Sequence, residues 1–413
     1  MSAVPPSFLI LSDIHFGAFA VTKDFALATN PPKHEMRGAV PMKEALITKV
    51  ISTVKEHGAA LSGILIPGDL TSIAAPGEFQ GSVKAVEDIA SALNVARKDV
   101  FFTFGNHDVD WRISAMSQTD EKDPLYNVVA AHAGSLFAFT PPTEVGPVPG
   151  SGVFVRDSYT IFSVNSGYHC YKDQEYRHGK LGNDQLRWLA EMLSKYAAGG
   201  FRMVMVHHHP FKYPFATVVE DISSLEEGAE LVDLIGSNGV HIVCHGHRHE
   251  PKLFTEMRTN WKHSVTFLCA GSVAVNEHHR NRGEIPNLFH LLFMDSQLTC
   301  GAAYGHVASF QYRSATGWVP TQHSASTPID HIQRFGILAD ANQRRIAAMQ
   351  LVKEALERAA KGDNSALLPG LNALPPELQC MFVHELNNLL NDIAREFGAR
   401  LFGKYPDEVL IKH

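Results

Sequence analysis

The 413-residue sequence has no excess of basic residues: 36 Lys and Arg stand against 43 Asp and Glu, leaving a net charge of −7. A broad, sequence-independent grip on nucleic acid favours a basic surface, so nucleic acid is a disfavoured partner. Cysteine is scarce. The five copies, Cys170, Cys244, Cys269, Cys300 and Cys380, are odd in number, and no two have Cys-x-x-Cys spacing. This argues against a disulfide scaffold or a structural zinc knot and fits reduced thiols in a cytoplasmic protein. No apolar run approaches the about 20 residues that cross a bilayer, so no membrane partner is expected. The start, Met1 to Ser7, lacks the basic and long apolar regions of a signal peptide, and none is expected. A helical His-Glu-x-x-His zinc motif is also missing, which argues against a one-zinc protease.

What is present is an ordinary globular composition, 45% apolar and 19% charged, with 23 histidines. The length implies one large domain with an appendage, or two domains. Through the first 295 residues, a short apolar run is repeatedly followed by polar residues with metal-binding side chains. Phe8-Leu9-Ile10-Leu11 leads to Asp13 and His15. Ile64-Leu65-Ile66-Pro67-Gly68 leads to Asp69, and Val100 to Gly105 leads to Asn106 and His107. Met203-Val204-Met205-Val206 leads to His207, and Val240 to Cys244 leads to His245, His247 and His249. Such runs read as strands buried on both faces.

Amphipathic helical patterns lie between them, around Leu46–Val54, Val83–Leu93, Leu186–Leu193 and Leu231–Ile235. The alternation predicts an α/β fold. In such sheets ligands bind beyond the C-terminal ends of the strands, where each of these polar groups falls. Two further strands, Val265–Cys269 and Leu288–Phe293, complete a second sheet. The expected architecture is a four-layer-type α/β/β/α sandwich with two mixed sheets, plus a C-terminal α-helical extension. Residues 110–152 lack periodicity and read as a loop or small cap near the site.

The character changes after about residue 320. A helix is expected over 338–361, a turn from Gly362 to Gly370, and a second long helix after Pro375 and Pro376. The apolar stripe of that helix is Leu378, Met381, Phe382, Leu386, Leu389, Leu390, Ile393 and Phe397. A helical hairpin must bury such a stripe, by docking on the first part or through a homodimer. The expected division is residues 1–320 as the catalytic domain and 321–413 as the helical extension.

The clustered residues are His, carboxylate and amide oxygen without Cys, a set that suits Mn, Fe or Zn. A carboxylate can bridge two cations. A pair of ions can clamp a phosphate ester and make hydroxide available at neutral pH. In the run His207-His208-His209, alternation sends neighbours to opposite faces, so His207 or His209 is the inward one and His208 a supporting group. His245 reads as structural. Solvated turns are the expected setting of His169, Arg177, His178, His278, His279 and Arg280, with substrate contact as the alternative. Arg248 should point away from the cluster.

The blocks Asp13-Ile14-His15, Gly68-Asp69, Gly105-Asn106-His107-Asp108, His207 and Gly246-His247-Arg248-His249 resemble, in order, the signature of the calcineurin-like metallophosphoesterases. The resemblance covers about residues 7–295. It extends to Gly179-Lys180-Leu181 with Gln185–Leu189 and to Ala270-Gly271-Ser272. In layout the chain is most similar to the bacterial cyclic-nucleotide phosphodiesterase-like branch, which shares the His-His-Pro context. Gly68-Asp69-Leu70-Thr71-Ser72 departs from the protein phosphatase branch.

The resemblance implies two divalent or transition metal ions (Mn, Fe or Zn). Asp13, His15 and His249 would hold one, Asn106, His207 and His247 the other, and Asp69 would bridge both. His107 would hold the phosphate or protonate the leaving oxygen, and Gly105 would permit a tight turn. The implied function is hydrolysis of a phosphodiester of a small, nucleotide-like molecule. A phosphomonoesterase or nuclease using the same chemistry, or a non-catalytic relative, are the alternatives.

Overall fold

The computed structural model of the chain describes residues 5–17, 46–75, 77–109, 136, 138–170, 178–198, 200–212, 223–274, 286–297, 302–313, 316–324, 327–336, 341–361, 366–370, 373–379, 381, 383–405 and 407–412. Arg177, His278, His279, Arg280, Cys300, Cys380 and Phe382 lie outside the described residues.

In chain order the first elements are β1 (Ser7–Ile10), α1 (Leu46–His57), β2 (Gly63–Ile66), α2 (Glu78–Ala92), β3 (Val100–Phe102), β4 (Glu144–Val145), β5 (Gly152–Val155) and β6 (Tyr159–Ser163). Then come α3 (Gly182–Lys195), β7 (Phe201–Met205), α4 (Gly228–Ser237), β8 (Ile242–His245), β9 (Lys252–Glu256), β10 (Val265–Cys269), β11 (Leu288–Gln297), β12 (Ala303–Arg313), β13 (Gly317–Pro320) and β14 (Ile332–Phe335). The chain is α/β, with two large mixed sheets. The first runs β13-β12-β11-β1-β2-β3, with β14 also on β12; the second runs β4-β5-β6-β7-β8-β10-β9. β1, β2 and β3 are mutually parallel, as are β6, β7, β8 and β10.

Alternation along the central strands decides what each face covers. Phe8 and Ile10 of β1 enter a core shared with Met203 and Met205 of β7 from the other sheet, while Leu9 packs with Val50 of α1 and Val86 of α2. Val204 of β7 turns the opposite way, onto Leu189 of α3 and Leu231 of α4. Each strand is therefore apolar on both faces, and its sequence reads as a continuous apolar run rather than an alternating one. Full burial of each such Leu, Ile or Phe contributes about 1.5–3 kcal/mol.

Three parts of the molecule depart from expectation. Of the two strands expected to complete a second sheet, β10 joins the second sheet beside β8, but β11 pairs antiparallel with β1 in the first, because it returns on the open edge of β1 opposite β2. The Pro/Gly-rich end of the 110–152 segment contains β4, which pairs with β5, and so is not wholly loop; residues 110–135 lie outside the described set. The C-terminal stretch is more than a helical hairpin. It has α5 (Ala341–Ala360), β15 (Ala366–Leu367), α6 (Pro376–Gln379), α7 (Val383–Glu396), β16 (Arg400–Phe402) and β17 (Leu410–Lys412), the strands forming a sheet ordered β15-β17-β16.

The stripe expected to seek an external surface is used internally. Leu378, Leu386, Leu390 and Ile393 share one core with Ala348, Val352 and Ala355 of α5 and with Ile411 of β17. The single helix expected after Pro376 is divided in two. The second helix begins at Val383, whose N–H donates to Asp330 Oδ2 at 2.7 Å, so a carboxylate preceding β14 satisfies one of its orphan amides. Among the described residues no helix is long and apolar enough to cross a membrane.

Candidate metal centre

Because β1 and β2 are parallel neighbours, the loops that follow them leave the sheet side by side. Backbone hydrogen bonds zip them together: Asp13 N–H donates to the Gly68 carbonyl at 3.2 Å, His15 to Asp69 at 3.0 Å, Phe16 to Leu70 at 2.8 Å, and Ser72 back to Phe16 at 3.0 Å. From the far side, Ser272 Oγ donates to the Asp13 carbonyl at 2.8 Å. This framework holds backbone that side-chain-bearing residues avoid. φ is 50° at Asp13, 48° at His15, 51° at Asp69, 75° at His247 and 59° at His249. Left-handed positions of this kind cost of order 1–3 kcal/mol and persist where the surroundings over-determine them, often at functional sites.

The structure brings all seven candidate ligands together. One ligand atom each of Asp13, His15, Asp69 and His249 lies within 4.8 Å of the others, and all four residues are buried. His249 Nε2 is 3.2 Å from Asp13 Oδ1 and 3.1 Å from His15 Nε2, and His15 Nε2 is 3.8 Å from Asp69 Oδ2. A second group shares that same carboxylate oxygen. His207 Nε2 is 3.1 Å from Asp69 Oδ2 and 3.2 Å from Asn106 Oδ1, and His247 Nδ1 is 2.9 Å from Asn106 Oδ1. His207, not His209, is therefore the inward member of its run. His209 lies over the His247 ring, with centroids 5.8 Å apart.

The donor set fits a cation. Imidazole nitrogens and carboxylate or amide oxygens converge with no thiol among them, as borderline-hard metals prefer. The His207 Nδ1–H donates to the Pro67 carbonyl at 2.9 Å, which leaves the Nε2 lone pair facing the cluster. The electrostatics agree. Burial opposes ionisation of Asp69, yet His207, His107 and His15 hold its carboxyl well below the usual carboxylate range. Burial likewise opposes charge on His207, but Asp69 and Asp13 outweigh it and push the ring up to about 9.

His107 sits beside the shared carboxylate. Its backbone N–H donates to Asp69 Oδ1 at 2.9 Å, its Nδ1–H donates to the Ser72 carbonyl at 2.7 Å, and its ring meets the His15 ring edge-on at 4.7 Å. The half-buried ring thus stands over the cluster with Nδ1 committed to the loop. Gly105 plays a different part from the tight turn expected of it. Its φ of −104° and ψ of −175° suit any residue. What demands glycine is space: a Cβ there would lie 2.1 Å from Asp69 Oδ1. Gly246 is constrained alike, with its Cβ position 2.2 Å from Asp13 Oδ2.

The remaining histidines and Arg248 take supporting places. His208 is held by Ser166 Oγ at 2.8 Å and lies against the His247 ring at 4.4 Å between centroids. His245 is buried, and that burial, with His209 nearby, lowers it to about 3. Arg248 Nη1 donates to Ser223 Oγ at 3.1 Å. His169 is half-buried with its ring 4.9 Å from Tyr168, and His178 is half-buried.

Sequence reasoning missed three contributors. Asp108 is fully buried and accepts from the Thr71 N–H at 2.8 Å and the Gly105 N–H at 2.9 Å, tying the second loop to the third. Burial, followed by the charge of Asp69, raises its carboxyl to about 7. Ser12 Oγ donates to Asp13 Oδ2, and Ser72 supplies the carbonyl for His107. Asp108 stands inside the Gly-Asn-His-Asp block and was visible there; a backbone carbonyl leaves no sequence signal.

No curated protein matches the chain. Solved structures similar to it include a purple acid phosphatase from yellow lupin (Lupinus luteus) seeds, at 13% identity and TM-score 0.46, covering 76% of this chain and 52% of the lupin chain. A putative 5′-nucleotidase from Staphylococcus aureus is similar at 13% identity and TM-score 0.38, covering 82% and 57% of the two chains. The calcineurin-like phosphoesterase YfkN from Bacillus subtilis is similar at 11% identity and TM-score 0.36, covering 87% and 99%. The chain thus spans little more than half of the first two proteins. The family model for calcineurin-like phosphoesterases matches residues 6–251, well over half the chain, and with all its signature blocks gathered at one buried cluster the protein belongs to the calcineurin-like phosphoesterase family.

Proposed function

We propose that this phosphoesterase hydrolyses a phosphodiester of a small, nucleotide-like molecule, with two metal ions of the Mn, Fe or Zn class. The observation that carries the reading is the sharing of Asp69 Oδ2 between two donor groups, with His107 beside it. Asp13, His15, Asp69 and His249 would hold one ion, and Asp69, Asn106, His207 and His247 the other. Bound there, the ions would supply charge neutralisation and hydroxide at neutral pH.

The chain's own groups do the rest. Pro67 fixes the His207 tautomer, and Ser72 fixes the His107 ring. With its Nδ1–H held by Ser72, His107 would contact the phosphate through Nε2 or, as the imidazolium, pass its Nε2 proton to the departing oxygen as the P–O bond breaks, which leaves the neutral Nδ1–H ring. A positioned acid of this kind contributes about 10²–10⁴-fold. The diester preference is supported by the similarity in layout to the cyclic-nucleotide phosphodiesterase-like branch, and a small substrate by the absence of a basic excess.

The test compares bis(p-nitrophenyl) phosphate with p-nitrophenyl phosphate, using Mn-loaded protein and Asn106→Ala as control. Faster diester turnover that vanishes in the variant is expected. Preference for the monoester would convert the reading to a phosphatase. Two bound metals without turnover of either ester would sink the general phosphoesterase reading at this site.

A further inference from the structure

Glu78 is a fully buried carboxylate with no part in the donor cluster. It opens α2, where a negative charge is favoured by the helix dipole. Its reach, however, is backward. Oε2 accepts from the Ile73 N–H at 3.0 Å and from the Ala75 N–H at 3.1 Å. Two charge-assisted bonds to one short segment are stronger than neutral ones and fix its path.

That segment begins at Ser72, whose carbonyl holds the His107 ring at 2.7 Å and whose Oγ donates to the His15 carbonyl at 2.5 Å. Glu78 also lies close to the first loop. Gly17, with φ 120°, follows Phe16 at the end of the zipped ladder, and a Cβ on it would lie 1.9 Å from Glu78 Oε1. One carboxylate therefore grips the loop that carries Asp69 and lies close against the backbone that follows Asp13 and His15, at the place where the partner of His107 is set.

We propose that Glu78 is a positioning residue for His107: by gripping Ile73 and Ala75 it holds the Ser72 carbonyl in place, and that carbonyl holds the Nδ1–H and turns the ring, so that the imidazolium gives its Nε2 proton to the leaving oxygen and is left as the neutral Nδ1–H ring, which takes up a proton from solvent before the next turnover. The inference rests on the reading of His107 given above. It predicts a chemistry-selective defect. A loosened His107 would matter little for a leaving group that departs well unprotonated and much for one that needs a proton. A merely structural role would lower turnover of both alike.

The test uses the full-length chain loaded with zinc and labelled with ¹⁵N-histidine, the His107 signals being assigned with His107→Asn. In the wild type, neutral His107 is expected as the Nδ1–H tautomer. Glu78→Ala should move it to a mixture with Nε2–H, while Glu78→Gln, whose carbonyl oxygen can accept the same two amides, should keep it. Glu78→Asp retains the charge but shortens the reach; it should show a smaller shift and replaces Ala if that variant does not fold.

In turnover, Glu78→Ala should lose about tenfold on diphenyl phosphate and less than about threefold on bis(p-nitrophenyl) phosphate, in the same direction as His107→Ala. An unchanged His107 tautomer in folded Glu78→Ala or Glu78→Asp overturns the proposal, as does an equal loss on both esters. If the wild type hydrolyses neither ester, it is the functional reading that falls, and the tautomer measurement still decides the role of Glu78.

Discussion

His207 donates its Nδ1–H to the Pro67 carbonyl at 2.9 Å, although the two residues follow strands of different sheets. Pro67 lies just before Gly68 and Asp69. The loop that delivers the shared carboxylate therefore also sets the tautomer of a histidine delivered by the opposite sheet.

From this relationship follows a separable loss. His207 touches Asp69 and Asn106 and is not a member of the Asp13–His15–Asp69–His249 group, so its removal should spare that group. The wild type is expected to hold two metal ions per chain and His207→Ala one, with turnover down by at least about 10²-fold, the order lost when a transition-state contact goes. Elemental analysis of dialysed protein checks the stoichiometry. Loss of both ions, or retention of both, would contradict the division into two groups.

Gly105→Ala probes close approach rather than backbone freedom. The backbone at Gly105 accepts alanine without strain, but the new methyl would collide with Asp69 Oδ1 and with the Asp69 amide, 2.7 Å away. Asp69 must shift, and a displacement near 1 Å costs about 10² in rate. We expect a folded protein with at least that loss in kcat. Circular dichroism and kinetics on the same sample would show it; full activity would mean that the loop yields more easily than its hydrogen bonds imply.

The legibility of this chain follows from how each part is buried. β1, β2, β3, β7 and β8 are apolar on both faces, so they stood out as runs, and the ligands after them came with them. β12 did not. Ala303 to Arg313 is built of small and polar residues, with Gly305, His306, Ser309 and Gln311 among them, because it pairs with β11, β13 and β14 at once and much of its contact is backbone. The two-residue strands β4 and β15 are too short for any period. In the C-terminal stretch the stripe from Leu378 to Ile393 was legible, but its partner was not, since the matching face of α5 interleaves Leu351, Val352 and Leu356 with Ala348, Ala355 and Ala359. The candidate ligands were legible as side chains. The carbonyls of Pro67 and Ser72, which orient two of the rings, belong to the backbone and had no signal.

Acid sensitivity should have a component outside the cluster. His290 of β11 is fully buried; its Nε2–H donates to the Ala270 carbonyl at 2.7 Å and its Nδ1 accepts from Ser309 Oγ at 2.8 Å. Burial is the main cause that lowers this ring to about 4. The unfolded chain, with an ordinary histidine near 6.5, binds more protons in between, so stability rises with pH across this window. What the neutral ring contributes is present above about pH 6.5 and is lost as pH falls toward about 4, by roughly 3 kcal/mol in all. His290→Gln should flatten the urea midpoint between those pH values relative to wild type. Parallel pH dependences in the two proteins would show that the ring titrates normally.

Asp330 is the other long-range partner, and it concerns how the C-terminal stretch is held. Its carboxylate accepts the Val383 N–H at 2.7 Å, at the first residue of α7, and is itself buried. Nearby, Tyr304 of β12 donates to Gln379 Oε1 at 2.6 Å. The carboxylate acts as a cap supplied from outside the helix: it satisfies an orphan amide and places negative charge at the positive end of the dipole. Removing a cap costs about 0.5–2 kcal/mol. The core of α5, α7 and β17 contains no residue of the two large sheets, so Asp330→Ala should leave that core intact while releasing the start of α7. Hydrogen exchange is expected to rise at residues 383–386 and to stay unchanged at β1 and β7, with metal content and turnover preserved. Unaltered exchange at 383–386 would show that the amide finds another partner, and faster exchange throughout the C-terminal core would show that the cap supports the whole unit rather than one helix end.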